Sequence, residues 1–205
     1  AREIPIVFIG TQMEVAGAQK LMLSQARWFH SQGYPVKALF FYDKQGLQQQ
    51  WQAAQPFPLL SLNAWRSGGF FPANLLRVLA GFWRLWPHLR RARVVLTFTP
   101  HSNLLAIPLA WLAGVKVRLP THHGYIEGSS RFMARFHGWL TNSRLVDALV
   151  AVSAQVRDYA IEREGAKAHK IVVIENGIEA PPEIRLSADE RRALRKSMGA
   201  DEGQI

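Results

Sequence analysis

The stretch 147–179, DALVAVSAQVRDYAIEREGAKAHKIVVIENGIE, contains one complete strand–helix–strand unit. Its apolar run at 147–152 predicts a strand that is buried on both faces. Ser153 follows as the N-cap of a helix that we expect to end at Gly165. A second apolar run at 170–174 predicts the next strand. Two strands joined through a helix lie parallel in one sheet, so this unit favours an α/β fold.

The same alternation extends from this unit back to the amino terminus. Further strands are predicted at 4–9, 35–42, 57–62, 94–99 and 115–119, and helices at 17–32, 46–55, 72–91, 102–113 and 131–141. Gly33 suits a left-handed helix C-cap, and Pro87 is expected to end or kink its helix. The predicted fold class is α/β, a Rossmann-like parallel sheet with helices on both faces.

Ligands on such sheets bind beyond the carboxyl ends of the strands. The loops at 10–17, 99–102 and 120–130 and the residue Ser153 all follow predicted strands, so we expect them to share one rim. Beyond Pro181 the order changes. There Ser187 and Glu190 have the spacing of a capping box that opens a short charged helix to Met198, with Gly199 as its stop.

The composition fits a globular domain, since 48% of the 205 residues are hydrophobic and 20% are charged. The sequence contains no Cys, which excludes a disulfide framework, a thiolate metal site and a Cys nucleophile. The longest uncharged apolar stretch, 94–115, is interrupted by Pro100 and Pro108, so it predicts strand, turn and helix rather than a membrane span. No secretory signal peptide is evident at 1–10.

The net charge of +10 is concentrated in one part of the chain. From Arg66 to Arg144 there are 11 Lys or Arg residues and one acid, Glu127, whereas the remaining basic and acidic residues are equal in number. Such asymmetry indicates a polyanionic neighbour, which is a membrane surface, nucleic acid or a phosphorylated ligand. No nucleic-acid recognition motif is present, so no nucleic-acid partner is expected.

The predicted helix at 72–91 combines aromatic, aliphatic and cationic residues. Its apolar side is expected to pack mostly on the sheet, while a cationic face with Trp and Phe suits an anionic lipid surface. The apolar side consists of Leu75, Leu76, Leu79, Phe82, Trp83 and Trp86.

Three segments together resemble family-four (group 1 type) retaining glycosyltransferases of the GT-B architecture. They are IVFIGTQMEVAGAQKLMLSQARWFHSQGYPV at 6–36, VRLPTHHG at 117–124, and the opening stretch at 147–179. The resemblance extends over about 4–180. It implies transfer of a sugar from a nucleotide-sugar donor to a glycan, lipid or small-molecule acceptor, with retention at the anomeric carbon.

The resemblance also implies the domain organisation. Residues 1–180 correspond to the acceptor-side Rossmann-like domain, and 181–205 to a linker and short helix that lead to a donor-binding domain absent from this chain. The fragment alone is then expected to be inactive. No cofactor or protein-bound metal is expected, since no His, Asp or Glu cluster has ligand spacing. A cytoplasmic location is expected, with peripheral contact at the inner face of the membrane.

Site residues follow from the matching motifs. His123 corresponds to the family's cleft His, and we assign it the catalytic position. The predicted substrate-binding residues are Gly17, Ala18, His101, His122, Gly124 and Glu127. Ala16 stands where the family's Gly-Gly-Ala loop begins with Gly. Glu127 either binds acceptor hydroxyls or pairs with Arg131 four residues on.

Structural interpretations of the same residues stay open at this point. His123 also fits a hydrogen-bonded loop residue, and Gly17 a small turn that packs the first helix on the sheet. For the whole protein, two alternatives remain: a non-catalytic basic module that binds a membrane surface, and a GT-B nucleotide-sugar epimerase. The sequence identifies neither the sugar nor the acceptor.

Overall fold

The computed structural model describes residues 3–124, 131–177 and 186–199. Strands and helices alternate along the chain. In order they are β1 (Ile6–Met13), α1 (Gly17–Ser31), β2 (Val36–Asp43), α2 (Gln48–Ala53), β3 (Leu59–Ser61), α3 (Phe71–Arg90), β4 (Val94–Phe98), α4 (Pro100–Leu112), β5 (Val117–His122), α5 (Arg131–Asn142), β6 (Leu149–Ala151), α6 (Ala154–Tyr159), β7 (Ile171–Val173) and α7 (Ala188–Ser197). A π-helical turn, Ala160–Glu164, extends α6, and a 3₁₀ turn, Ala168–Lys170, precedes β7.

The strands form one sheet of seven in the order β3-β2-β1-β4-β5-β6-β7. All six neighbouring pairs are parallel, which confirms the predicted fold class. The direction of the strand order reverses between β1 and β4. In open α/β sheets the crevice for a ligand lies at this point, beyond the carboxyl ends of the strands.

Alternate residues of β1 belong to two separate cores. Ile6 and Phe8 pack with α1 residues such as Met22, whereas Val7 and Ile9 belong to a second cluster that includes residues of α3 and α4. Successive side chains of a strand point to opposite faces of the sheet. Both faces are therefore covered by helices, as the near-continuous apolar strands predicted.

The first strand is longer than the sequence indicated. A loop was expected from Gly10, but β1 stays paired with β2 through Gln12 opposite Tyr42 and Met13 opposite Asp43. Met13 is fully buried, so its burial extends the strand beyond the purely apolar run. The expected ligand loop is consequently shorter and begins at Glu14.

Helix α3 corrects one expectation. The expected core-facing residues are largely exposed, including Leu76 at 68% and Trp83 at 82% exposure. The buried positions are Asn74, Gly81, Leu85 and Leu89 instead. A Cβ at Gly81 would lie 2.4 Å from the Cβ of Ala64, so a small residue lets this face of the helix approach the chain that follows β3.

Pro87 does not end its helix. Helix α3 continues to Arg90, and Leu85 and Leu89 on either side of the proline are fully buried. Their packing holds the last turn in place, although proline removes one backbone hydrogen bond there.

The predicted caps are confirmed where they are described. Ser153 accepts a hydrogen bond from the backbone N–H of Val156, and Gly33 has a φ of +83°. Ser187 and Glu190 form the capping box that opens α7. Whether 181–205 link to a further domain stays a prediction. Of the helices in the described ranges, none is both long enough and apolar enough to span a bilayer.

Candidate functional site

A pair of threonines lies at the carboxyl ends of β1 and β4, where the strand order reverses. The Oγ1 atoms of Thr11 and Thr99 lie 2.6 Å apart, which joins the end of β1 to the start of α4. Thr99 has a φ of +87°, a left-handed conformation that is strained for a β-branched residue. Such strain concentrates at active sites and ligand-binding segments, so this junction marks the edge as a candidate site.

Two of the predicted binding segments lie at this same edge. Gly17 is exposed at the start of α1, directly after the loop that follows β1, and Ala18 is partly buried beside it. Ala16 is the N-cap and has no side-chain cap hydrogen bond. His101 is exposed in the first turn of α4, two residues after Thr99. The first N–H groups of both helices face the edge where a ligand would bind.

His123 lies directly after β5 and is fixed on two sides. Its ring stacks on Phe98 at a centroid distance of 5.1 Å, and its Nε2 lies 2.6 Å from the Thr121 hydroxyl oxygen. The Thr121 hydroxyl donates its proton to the carbonyl of Thr97 at 2.8 Å. It must therefore accept from His123, which assigns the His123 proton to Nε2. Nδ1 is then a hydrogen-bond acceptor that has no partner among the described residues.

Burial lowers the pKa of His123 to about 4, with a smaller contribution from neighbouring His122. The ring is consequently neutral near pH 7. A neutral imidazole with a free acceptor nitrogen can accept a hydrogen bond from a sugar hydroxyl.

This lowered pKa predicts how acid affects stability. Between pH 6.5, the ordinary histidine value, and about pH 4, the unfolded chain binds a proton at His123 that the folded chain excludes. Stability should therefore fall as the pH is lowered through this range. His123→Phe keeps a ring against Phe98 and should reduce that fall, as measured by urea unfolding at several pH values. A side-chain NMR titration of His123 with a midpoint near 6.5 would contradict the assignment.

His122 lies in a buried cluster rather than at the rim. Its ring is 1% exposed, and its Nε2 lies 3.0 Å from Oε1 of Glu164. The second carboxylate oxygen of Glu164 lies 2.8 Å from Nδ1 of His137. All three side chains are buried, so in this structure the His122 side chain has no surface for direct contact with a sugar.

The charge of Glu164 is supported by these two neighbours. Burial raises the pKa of its carboxyl, but hydrogen bonds from His122 and His137 outweigh this effect and hold the pKa below its usual value. Glu164 therefore adds stability that is fully present above about pH 4.5, the ordinary pKa of a Glu side chain. That stability is lost as the pH falls through the lower pKa of the folded state.

Sequence spacing did not reveal this cluster. No metal site was expected because no ligand spacing was evident, yet His122, His137 and Glu164 place ligand atoms within 4.8 Å of one another. One signal was available: Val156, Ala160 and Glu164 are four residues apart and all buried, so an acid continues an apolar stripe. The π-helical turn then brings Glu164 onto the side of Tyr159, whose ring contacts His122.

A second polar cluster that the sequence analysis missed lies at the ends of β1 and β2. Lys44 forms an ion pair with Glu14 at 2.6 Å, and Gln12 bridges Glu14 and the Tyr42 hydroxyl. The hydrogen bond from Lys44 is the largest cause of the lowered pKa of Glu14. This cluster lies beside the loop that leads to Gly17, and it fixes the start of that loop.

Gly124 and Glu127 are the remaining predicted substrate-binding residues. Gly124 follows His123 with a φ of +152°, a conformation that L-residues rarely adopt. Glu127 lies outside the described residues, so its choice between acceptor binding and pairing with Arg131 stays a prediction.

A parallel sheet with this strand order and a polar edge at its reversal point defines a Rossmann-like domain. The sequence model of the glycosyl transferase 4-like domain matches residues 16–177, so the chain belongs to that family. No curated protein matches the sequence.

Solved structures of low sequence identity share the fold. Anabaena HepE in complex with UDP-glucose is 16% identical, with a TM-score of 0.72 over 96% of this chain and 50% of its own. A glycosyltransferase from Rickettsia africae is 16% identical, with a TM-score of 0.69 over 98% and 51%. The UDP-N-acetylglucosamine 2-epimerase from Rickettsia bellii is 10% identical, with a TM-score of 0.57 over 84% and 45%. The chain thus spans about half the length of these structures.

Proposed function

We propose that this chain is the acceptor-side domain of a retaining glycosyltransferase that takes its sugar from a nucleotide-sugar donor. The observation that carries the proposal is His123: a neutral ring at the edge of the sheet, with Nε2–H fixed by Thr121 and Nδ1 free to accept a sugar hydroxyl. Membership of a glycosyl transferase family and the UDP-glucose bound to the similar HepE support it.

Each part of the edge has a role in this proposal. His123 orients a hydroxyl of the reacting sugar or of the acceptor. The first N–H groups of α1, at Gly17 and Ala18, bind oxygens of the acceptor because a helix N-terminus favours negative charge. His101 extends the edge along α4. A second half, following residue 205, holds the donor and stabilises the leaving phosphate, and no protein metal is required.

The proposal is tested on the longer protein in which this chain continues into a second half. It is incubated with a panel of nucleoside-diphosphate sugars and an acceptor extract, and the product's anomeric configuration is read by NMR. We expect a glycoside with the configuration of the donor. An inverted glycoside would contradict retention, and a free sugar epimerised at C2 would instead support the epimerase alternative.

The exposed face of α3 favours contact with an anionic membrane surface as a second function. Phe71 and Trp83 are 70% and 82% exposed, and the segment from Arg66 to Arg144 has 11 basic residues and one acid. Helix α5 adds three exposed aromatic rings stacked in a row, Phe132, Phe136 and Trp139. Aromatic side chains interspersed with arginine suit the interface of anionic lipid, and such contact would place the domain beside a lipid acceptor.

Vesicle binding tests this surface. The chain should co-sediment with phosphatidylglycerol vesicles, and less so in high salt because the attraction is electrostatic. Trp83→Ser should weaken binding roughly tenfold, the effect of about 1.4 kcal/mol of lost apolar burial. Trp28→Ser is the matched control, because Trp28 is 58% exposed on α1, which packs against the other face of the sheet. An equal loss of vesicle binding in both variants would contradict binding through the exposed face of α3.

A further inference from the structure

A cavity of about 410 Å³ lies at the amino ends of β1 and β2, at the opposite end of these strands from the candidate site. Its walls are formed by the first residues of the two strands, the segment before β3 and the ends of α1 and α3. Ligand pockets in proteins occupy about 300–1,000 Å³, so this volume suits a small molecule. The cavity is separate from the edge where His123 lies.

The walls of the cavity are apolar and offer a ligand few backbone groups. Ile6, Val36 and Phe57 are buried within them. Proline has no backbone N–H to donate, and three of the four prolines in the walls have carbonyls that already accept backbone hydrogen bonds. The four are Pro5, Pro35, Pro56 and Pro58, of which Pro56 is the exception. Such walls favour an apolar group in the cavity.

The titratable side chains that line the cavity are all basic, namely His30, Lys37, His88 and Arg91. Within the described ranges, none of the four forms an ion pair with an acid. Burial lowers the pKa of His88, and the positive charges of Lys37 and Arg91 lower it further. Both charges therefore act on one ring, and a negative group beside that ring would be attracted to both.

His30 adds a polar atom that lacks a partner. Its Nδ1 is buried and makes no hydrogen bond to any described residue, while its ring lies 5.8 Å from that of Phe57. Buried polar atoms are nearly always paired in folded proteins, with protein, water or a bound group. An occupant of the cavity that His30 lines is one such partner.

The helix ends beside the cavity do not cancel its positive charge. Helices α1 and α3 both end there, and each carboxyl end carries roughly half a negative charge. Together they offset about one of the two positive charges of Lys37 and Arg91. The charge that remains matches one anionic group. A carboxylate fits, because an Arg guanidinium can donate two parallel hydrogen bonds to it.

We propose that this cavity binds a small amphipathic anion, a carboxylate joined to an aliphatic or aromatic group. Its apolar part lies against Ile6, Val36 and Phe57, and Lys37 and Arg91 hold the carboxylate. The small volume favours a free carboxylate over a bilayer lipid with two chains. This second site does not depend on sugar transfer, so it stands or falls separately from the proposed function.

Calorimetric titration of the 205-residue chain with sodium octanoate tests the site. We expect one equivalent to bind with a Kd of about 0.1–1 mM. Acetate has the charge without the tail, and octan-1-ol has the tail without the charge, so each should bind roughly tenfold more weakly. Octanoate should also raise the midpoint of the His88 ring titration in NMR spectra, because a nearby negative charge favours the imidazolium.

Two variants locate the binding. Lys37→Gln and Arg91→Gln each remove one charge and should weaken octanoate binding about tenfold. Arg91 is exposed, so its replacement leaves the core intact. Lys116→Gln is the matched control, because Lys116 is exposed directly before β5, at the same end of the sheet, and does not line the cavity. Its octanoate affinity should stay within about twofold of the wild type.

Three results would overturn the inference. The first is equal affinity for octanoate and acetate, and the second is an equal loss of octanoate binding in all three variants. The third is a chain that does not bind octanoate but loses co-sedimentation with phosphatidylglycerol vesicles in Arg91→Gln. That result would assign these cations to a lipid headgroup.

Discussion

Gly138→Ala should destabilise the folded chain by about 3 kcal/mol, at the upper end of the cost of overpacking a core. A Cβ at this position of α5 would lie 2.0 Å from the carbonyl oxygen of Glu164 and 2.6 Å from its carbonyl carbon. Both are backbone atoms, so α5 or the π-helical turn must move. Domains are stable by about 5–15 kcal/mol, so this is a large fraction of the total.

The measurement is thermal unfolding of the purified chain. A loss of about 3 kcal/mol should lower the midpoint by roughly 6–12 °C. Gly17→Ala is the matched control, because a Cβ there meets nothing within 4 Å, and its midpoint should stay within about 2 °C of the wild type. If Gly138→Ala unfolds like the control, the close approach of α5 to Glu164 is not a feature of the folded chain.

His123→Phe should reduce sugar transfer by the longer protein about 10- to 100-fold in kcat/KM. The phenyl ring keeps the stacking on Phe98 but offers no acceptor, so a sugar hydroxyl loses its partner in a partly buried site. An unpaired polar group of this kind costs about 1–3 kcal/mol, and each 1.4 kcal/mol is tenfold in rate. The affinity for the nucleotide-sugar donor should change less, since the second half is proposed to hold it.

The control for this prediction is His169→Phe. His169 is exposed in the turn that precedes β7, at the opposite edge of the sheet from His123. Transfer rates, donor affinity and thermal midpoints of the two variants are compared in parallel. A transfer rate for His123→Phe within twofold of the control would remove His123 from the site.

Local patterns in the sequence were sufficient to predict the α/β architecture. Apolar runs and caps such as Ser153, Gly33 and Ser187 depend on neighbours within a few residues, so they could be predicted without knowledge of the fold. The extension of β1 to Met13 could not, because it depends on pairing with β2, a segment distant in sequence. The prediction for the face of α3 was wrong for the same reason: Gly81, Leu85 and Leu89 are buried, whereas the predicted Leu76 and Trp83 are exposed.

The residues of the candidate site likewise fall into those that the sequence predicted and those that it did not. His123, Gly17 and His101 were found because they lie in short motifs at the ends of strands. His137 and Glu164 were not, because only the packing of α5 against the π-helical turn brings them together. Polar residues within apolar stripes were the available signal, and a burial pattern was needed to interpret it.

The most direct test of the proposed function compares residues 1–205 with the longer protein in one transfer assay, using the same nucleotide-sugar panel and acceptor. We expect transfer by the longer protein and none by residues 1–205, because the second half is proposed to bind the donor and its leaving phosphate. Measurable transfer by residues 1–205 alone would contradict the assignment of this chain as the acceptor-side domain.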